Sequence, residues 1–170
     1  MKTIPDKQPV TINSNSAPLA AVISYENPDV VERIAREYHM SSTQAESVFR
    51  DTLRFLYLAG ATDATNIAPT RNIDAGWHSF LMFTRDYARF CKTHFGKFIH
   101  HEPRRRGEAA GGVDRLTLTF DLARQVFGPA LSDNWRYDIR SADCESFRCT
   151  SKCSPDTGGG GDECTPDSGD

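Results

Sequence analysis

The stretch "IDAGWHSFLMFTRDYARFCKTHFGKFIHHEP", residues 73–103, combines the longest helical pattern of the chain with most of its reactive side chains. It holds four of the five histidines, one cysteine and seven other aromatic residues. Apolar residues recur at helical spacing from Ile73 to His94. Gly96 is a typical helix stop, and the last turn carries Lys92, where positive charge is favoured. The stretch predicts helix and raises the question whether its histidines form a site or only fill a core.

Two further helices are predicted upstream. Asn27 can cap the first, with Pro28 at the first helical position. The second begins within "SSTQAE", residues 41–46, continues as an apolar stripe and meets a stop at Gly60. The pairs with capping-box spacing there are Ser41 with Gln44 and Thr43 with Glu46.

A fourth helix is predicted over residues 114–127. The segment "LTLTF", residues 116–120, also alternates with period two, so a strand remains the alternative there. The fold class is therefore all-α, a compact bundle of four to five helices. We expect an irregular lead-in over residues 1–26, a helical domain over 27–140 and a flexible acidic Cys/Gly-rich tail over 141–170.

Composition indicates a soluble globular protein, with 38% hydrophobic and 25% charged residues in 170. The tail carries seven acidic residues against two basic ones, which leaves residues 1–140 weakly positive in a chain of net charge −3. Neither part has the basic face of a nucleic-acid binder, and the run "RRR" at 104–106 is typical of a solvated loop. We expect a protein partner, if any, to bind through the acidic tail.

The N-terminus has no apolar segment of the secretory type, and no apolar run is long enough for a bilayer. We therefore expect a cytoplasmic protein that does not bind membranes. Phosphate-binding, dinucleotide-binding and esterase motifs are absent from the sequence, which argues against those enzyme classes.

Asp74 and His78 form the first candidate metal site. Their spacing of four places both side chains on one helix face, one turn apart. His100 or His101 would supply the third ligand, and His101 is preferred. Asp74 either binds the metal or orients His78 without contacting it, and Cys91 is an optional sulfur ligand, a donor set that suits zinc. The alternative is that Asp74 caps the helix and His78 belongs to the core.

A second candidate cluster combines Cys91, His94 and His100, or His101 in its place. This C-x2-H…H spacing is also plausible for zinc. The plain alternatives are a buried thiol at Cys91 and a favourable helix-end charge at His94.

Chain length tests whether His78 and His101 can meet. On an unbroken helix His78 lies about 27 Å from Gly96 along the axis. The five residues from Gly96 to His101 span at most about 17 Å. The first site therefore requires a helix break, for which Thr84 is a suitable N-cap.

A family resemblance rests on the same residues. The motif residues are Asp74-x-x-Trp77-His78, Tyr87-x-x-x-Cys91, Gly96 and His101-x-Pro103. This pattern, over roughly Ala45 to Pro103, resembles the glycine-rich domain-containing protein-like family. The resemblance implies a helical domain and a helix break, since relatives tend to carry proline at the place of Arg85. Relatives often carry a further histidine where this chain has Phe80, and the family implies no particular reaction.

Four cysteines lie in the tail with the spacing C-x4-C-x3-C-x10-C. They are Cys144, Cys149, Cys153 and Cys164. The number suits a four-cysteine zinc site, although no C-x2-C pair is present. A redox or disulfide-forming tail, a docking peptide and incidental thiols are the alternatives.

Three functions follow from these patterns. The first is a metal-binding, zinc-binding module that acts through a partner. The second is a metal-dependent enzyme with an open water position at His78 and His101. The third is a structural protein whose histidines fill the core without metal.

Overall fold

A computed structural model describes residues 11–14, 16–62, 64, 67–101 and 112–136 of the chain. Six α-helices and one 3₁₀ turn lie in this part. They are α1 (Leu19–Ile23), α2 (Pro28–Glu37), α3 (Ser42–Ala61), α4 (Arg71–Leu81), α5 (Thr84–Phe95), α6 (Gly112–Phe127) and the 3₁₀ turn (Asp133–Trp135). The all-α fold class is confirmed, with six helices instead of four to five. Extended pairing in the described residues is confined to one bridge between Ile12 and Thr62.

Helix α3 is the centre of the fold because it is apolar around most of its circumference. Twelve of its 20 residues are buried, and it contacts each of the other five helices. The predicted capping box is confirmed at its start. The Ser41 side chain accepts from the Gln44 amide, while the Gln44 side chain accepts from the Ser41 amide.

The N-terminal helices pack onto α3. Asn27 caps α2 as predicted, since its side-chain oxygen accepts a hydrogen bond from the Val30 amide. The lead-in was expected to be irregular, but it contains α1. The apolar run after Pro18 forms this short helix because Val22 becomes fully buried against the core.

Helix α4 crosses α3 closely at Gly76. A Cβ atom at this position would lie 3.1 Å from Cγ1 of Val48, so a larger residue would push the helices apart. At the same crossing the Thr52 hydroxyl is 3.2 Å from the Ile73 carbonyl and donates to it. The large buried apolar residues of α4 are Ile73, Trp77 and Phe80. The opposite side of α4 therefore presents Asp74 and His78 outward.

The helix break required by the length argument is present between α4 and α5. Helix α4 ends at Leu81 and α5 begins at Thr84, with Phe83 in the N-cap position and no side-chain cap. Thr84 is thus the first residue of α5 instead of its cap. Edge-to-face packing of Phe80 on Tyr87, with ring centroids 5.1 Å apart, supports the corner.

The C-terminal described part covers one side of α3 and α4. Residues 112–127 are helical, so the alternative of a strand at "LTLTF" is wrong. Asp51 of α3 is 1% exposed and accepts hydrogen bonds from Ser132 (2.5 Å), Asn134 (2.9 Å) and Arg54 (2.9 Å). These bonds attach the 3₁₀ turn to the bundle. None of the described helices combines the length and the apolar character needed to cross a bilayer.

Candidate metal centre

Asp74 lies in the first turn of α4, and its carboxylate contacts both histidines of the candidate site. Thr70 precedes the helix as its N-cap, and its hydroxyl is 3.5 Å from the Ile73 amide. The alternative that Asp74 caps the helix is therefore wrong. Its side chain is 38% exposed, so one side of the carboxylate faces solvent.

His78 lies one turn after Asp74, as the spacing of four predicts. Its Nδ1 is 3.2 Å from Oδ2 of Asp74 and 3.0 Å from the Asp74 backbone carbonyl oxygen. The imidazole is 36% exposed. Both side chains are held on the outward side of one helix, next to solvent.

His101 approaches the same carboxylate from the segment that follows α5. Its Nε2 is 2.8 Å from Oδ1 of Asp74. The ring lies 4.4 Å from the His78 ring and 4.4 Å from the Trp77 ring, centroid to centroid. Only 14% of this side chain is exposed. The Asp74 carboxylate thus contacts two imidazoles that are 23 positions apart in the chain.

The chain returns to Asp74 because α5 stops sharply. Gly96 closes α5 in the left-handed region, with φ 69°, where glycine carries no Cβ penalty. The following segment runs back along the helix corner, and the Ile99 side chain is buried there. This reversal brings His101 to the first turn of α4.

The charges of the site favour an ionised carboxylate. Burial raises the pKa of Asp74, but hydrogen bonds from His101 and His78 outweigh burial and lower this pKa to about 2. The hydrogen bond with Asp74 raises the pKa of His78 above its usual value, although burial acts in the opposite direction. At neutral pH the site therefore contains a carboxylate beside two imidazoles, a donor set that attracts a divalent cation.

The three side chains have the geometry of a metal triad. One ligand atom from each of Asp74, His78 and His101 can be chosen so that all three lie within 4.8 Å of one another. Neighbouring ligands of a tetrahedral zinc ion, with bonds of about 2.0–2.2 Å, lie about 3.3 Å apart. The Asp74–His78 and Asp74–His101 separations of 3.2 and 2.8 Å are close to this spacing. The three side chains are therefore a candidate metal-binding triad.

Cys91 lies away from this triad, so the optional sulfur ligand is not brought to it. The thiol is fully buried, and burial raises its pKa. It faces the Tyr87 hydroxyl and the Ile99 backbone. Cys91 lies on the buried side of α5 with Tyr87 and Phe90, and it is not part of the group formed by Asp74, His78 and His101. The alternative prediction of a buried thiol at Cys91 is therefore confirmed.

The second candidate cluster is not assembled in the described residues, where the close group of His, Cys, Asp or Glu side chains is the triad. His94 packs against Phe90, with ring centroids 4.7 Å apart, and burial lowers its pKa. His100 is exposed beside Phe98, at 4.8 Å between ring centroids. Cys91 is fully buried in the core. The four tail cysteines lie outside the described residues, and their metal site remains a prediction.

The contacts of two tyrosines near the site were not predicted from the sequence, although Tyr87 belongs to the motif quoted above. The Tyr87 hydroxyl links Trp77 to Ile99, a contact that no sequence spacing could reveal. Tyr38 lies at the end of α2. Burial raises its pKa, and the negative charge of Asp74 raises it further, so the phenol is near enough to the site to be affected by that charge. Its only sequence signal was its place on a helix.

The comparisons with known proteins identify the family. The chain matches the UCP032817-like family over residues 20–111, just over half of its length, and therefore belongs to it. The resemblance to the glycine-rich domain-containing protein-like family is wrong, because the matching family is a different one. The match contains Asp74, His78 and His101, whereas α6 and the 3₁₀ turn lie entirely beyond it. No curated protein and no solved structure matches the chain.

Proposed function

We propose that the chain is a metal-binding helical module and that zinc is its metal. In this proposal Asp74, His78 and His101 are the protein ligands. The observation that supports it most is the proximity of three zinc-type donors from two separate segments. One oxygen of the ionised Asp74 carboxylate and one nitrogen each of His78 and His101 lie within 4.8 Å of one another.

The site supports a centre with an open coordination position. Structural zinc sites are usually closed by four protein ligands, whereas sites with three protein ligands bind a water, a substrate or another group in the fourth position. The described residues offer three ligands, and the Asp74 and His78 side chains are 38% and 36% exposed. We propose that a partner molecule donates the fourth ligand. Partner binding through the acidic tail and a cytoplasmic location both remain predictions from the sequence.

A metal-dependent enzyme is the second candidate function, and the same exposed side favours it. A zinc ion with three protein ligands lowers the pKa of its bound water to about 7, which produces a nucleophile at neutral pH. His78 and Asp74 would then hold the metal at an accessible surface. This function predicts turnover of a hydrolysable substrate by the zinc-loaded chain alone, whereas the module predicts none without its partner.

Zinc addition is expected to stabilise the protein. Binding to the folded state alone adds about 2.7 kcal/mol at a zinc concentration 100 times the dissociation constant. In a chain of this size that corresponds to a rise of several degrees in Tm. Differential scanning fluorimetry of chelator-treated protein, with zinc and then magnesium, measures the effect.

The magnesium arm is the control for this experiment. Magnesium prefers octahedral oxygen coordination and retains its waters, so it should leave Tm almost unchanged. Equal rises with both metals would indicate a general charge effect. No rise with zinc at any concentration up to the millimolar range would contradict the proposal.

The pH dependence of stability should have opposite signs with and without metal. In the metal-free protein the pKa of His78 is raised by folding, so its stabilisation is complete below about pH 6.5 and is lost as pH rises through the folded pKa. A metal ion requires neutral imidazole, so its stabilisation is lost as pH falls through the same pKa. The zinc-induced rise in Tm should therefore be larger at pH 8 than at pH 6. Thermal scans at both pH values, with and without zinc, measure this, and equal rises would contradict it.

A further inference from the structure

One phenol hydroxyl joins the two segments that carry the candidate ligands. Tyr87 of α5 is fully buried. Its hydroxyl oxygen accepts a hydrogen bond from Nε1 of Trp77 at 2.9 Å and donates one to the carbonyl of Ile99 at 2.7 Å. Trp77 directly precedes His78, and Ile99 lies two residues before His101. A single oxygen atom therefore connects the α4 segment with the returning segment.

The Trp77 indole connects Tyr87 to the site a second time. Its ring lies 4.4 Å from the His101 ring, at an angle of 63°. The hydrogen bond from its Nε1 to Tyr87 fixes the orientation of this ring. Tyr87 thus acts on His101 both through the backbone at Ile99 and through the indole on which the imidazole packs.

Cys91 belongs to the same buried arrangement. Its thiol interacts with the Tyr87 hydroxyl and with the backbone of Ile99. The Tyr87 ring is held in place by Phe80 at 5.1 Å and by Phe98 at 5.2 Å, between ring centroids. Packing therefore positions the Tyr87 ring so that its hydroxyl can hydrogen-bond both to the Trp77 side chain and to the Ile99 backbone.

We propose that Tyr87 is a positioning residue of the metal centre, whose hydroxyl sets the separation between His78 and His101 without contacting the ion. This inference rests on the proposed metal-binding function. Groups that hold metal ligands in place from outside the coordination sphere typically change metal affinity by about 10- to 100-fold when they are removed. Tyr87 would then control the affinity from the buried side of the site, opposite the open coordination position.

The test is the variant Tyr87→Phe in the full chain. It retains the ring that packs against Phe80 and Phe98 and removes only the hydroxyl. We expect its zinc affinity to fall about 10- to 100-fold in a competition titration with a chromophoric chelator. With cobalt(II) as the probe, its visible absorption spectrum should shift towards that of His101→Ala, because His101 no longer reaches the ion reliably.

A matched control separates positioning from loss of stability. The Thr119 hydroxyl is also buried and contacts three backbone groups. It accepts from the Ala68 amide and can donate to the carbonyls of Ala68 and Arg115. Thr119→Val removes these bonds without changing a residue that contacts Asp74, His78 or His101. The affected groups nearest to them in sequence are Ala68, six positions from Asp74, and Arg115, 14 positions from His101. It should lower Tm by an amount comparable to Tyr87→Phe and leave the zinc affinity and the cobalt spectrum unchanged. An equal loss of affinity in both variants would overturn the inference.

The metal-free protein provides a readout that does not depend on metal binding. The Trp77 ring should displace the NMR signals of the His101 ring protons by its ring current. In Tyr87→Phe these signals should move towards those of a free histidine. If the wild-type chain binds neither zinc nor cobalt, the proposed function fails while this readout still tests the positioning. Unchanged His101 signals in Tyr87→Phe would refute the positioning role whatever the metal result.

Discussion

Replacement of His101 by alanine is expected to lower the zinc affinity by more than about 100-fold, beyond the range typical of residues that only support ligands. His101 is the least exposed of the three candidate ligands, and its Nε2 is 2.8 Å from the Asp74 carboxylate. It also comes from a different segment than the other two, so no neighbouring residue of α4 can replace it. A competition titration on the folded, metal-free variant measures the loss.

His100→Ala is the matched control for this variant. It removes the same side chain one residue away, and His100 is exposed beside Phe98. Its zinc affinity should remain within about two-fold of wild type, as expected for a surface substitution away from a site. Equal effects of the two variants would mean that His101 has no special place in metal binding. A strong effect of His100→Ala alone would transfer the site to the second candidate cluster.

Replacement of Asp51 by alanine is expected to lower the free energy of unfolding by about 3 kcal/mol. Asp51 is 1% exposed and accepts bonds from Ser132, Asn134 and Arg54. Without the carboxylate these donors lose their acceptor in a buried place, and the 3₁₀ turn loses its attachment to α3. Urea denaturation followed by circular dichroism measures the change.

The control for this prediction is Asp86→Ala. Asp86 also lies three residues before an arginine, Arg89, but the two side chains are 42% and 77% exposed and 4.0 Å apart. An exposed pair of this kind contributes at most about 1 kcal/mol. If the Asp51 and Asp86 variants were equally stable, the buried bonds of Asp51 would not hold the bundle together as described.

The helices were predictable where local chemistry sets them. The caps at Asn27 and Ser41 are formed by contacts within four residues, so the sequence contains all the information that they need. The short helix at Leu19–Ile23 was missed because its stability comes from burial of Val22 against α3. Five residues carry too little intrinsic helix stability to be recognised from a pattern alone.

The site was predictable in part for the same reason. Asp74 and His78 follow from a spacing of four on one helix, and their contact is local. The inclusion of His101 depended on a helix break, which the chain-length argument required and the structure contains. The alternative of a buried thiol at Cys91 also came from the sequence, because the residue lies on the apolar side of the helical pattern, and it is confirmed.

The contacts of Tyr87 and Asp51 were not predictable from the sequence. Tyr87 binds a backbone carbonyl 12 positions away, and Asp51 binds a serine 81 positions away. Backbone carbonyls have no sequence signature, and an aspartate on a helix is normally exposed. The family was also misassigned from short motifs, which are less specific than the match over residues 20–111.

The metal content of the untagged full-length protein tests the central proposal most directly. Elemental analysis would compare the wild type, His78→Ala/His101→Ala and a variant with the four tail cysteines replaced by serine. We predict close to one zinc per chain in the wild type and in the tail variant, and none in the histidine variant. Zinc that persists in the histidine variant but is lost from the tail variant would contradict the account. So would the absence of metal from all three after purification in zinc-containing buffer.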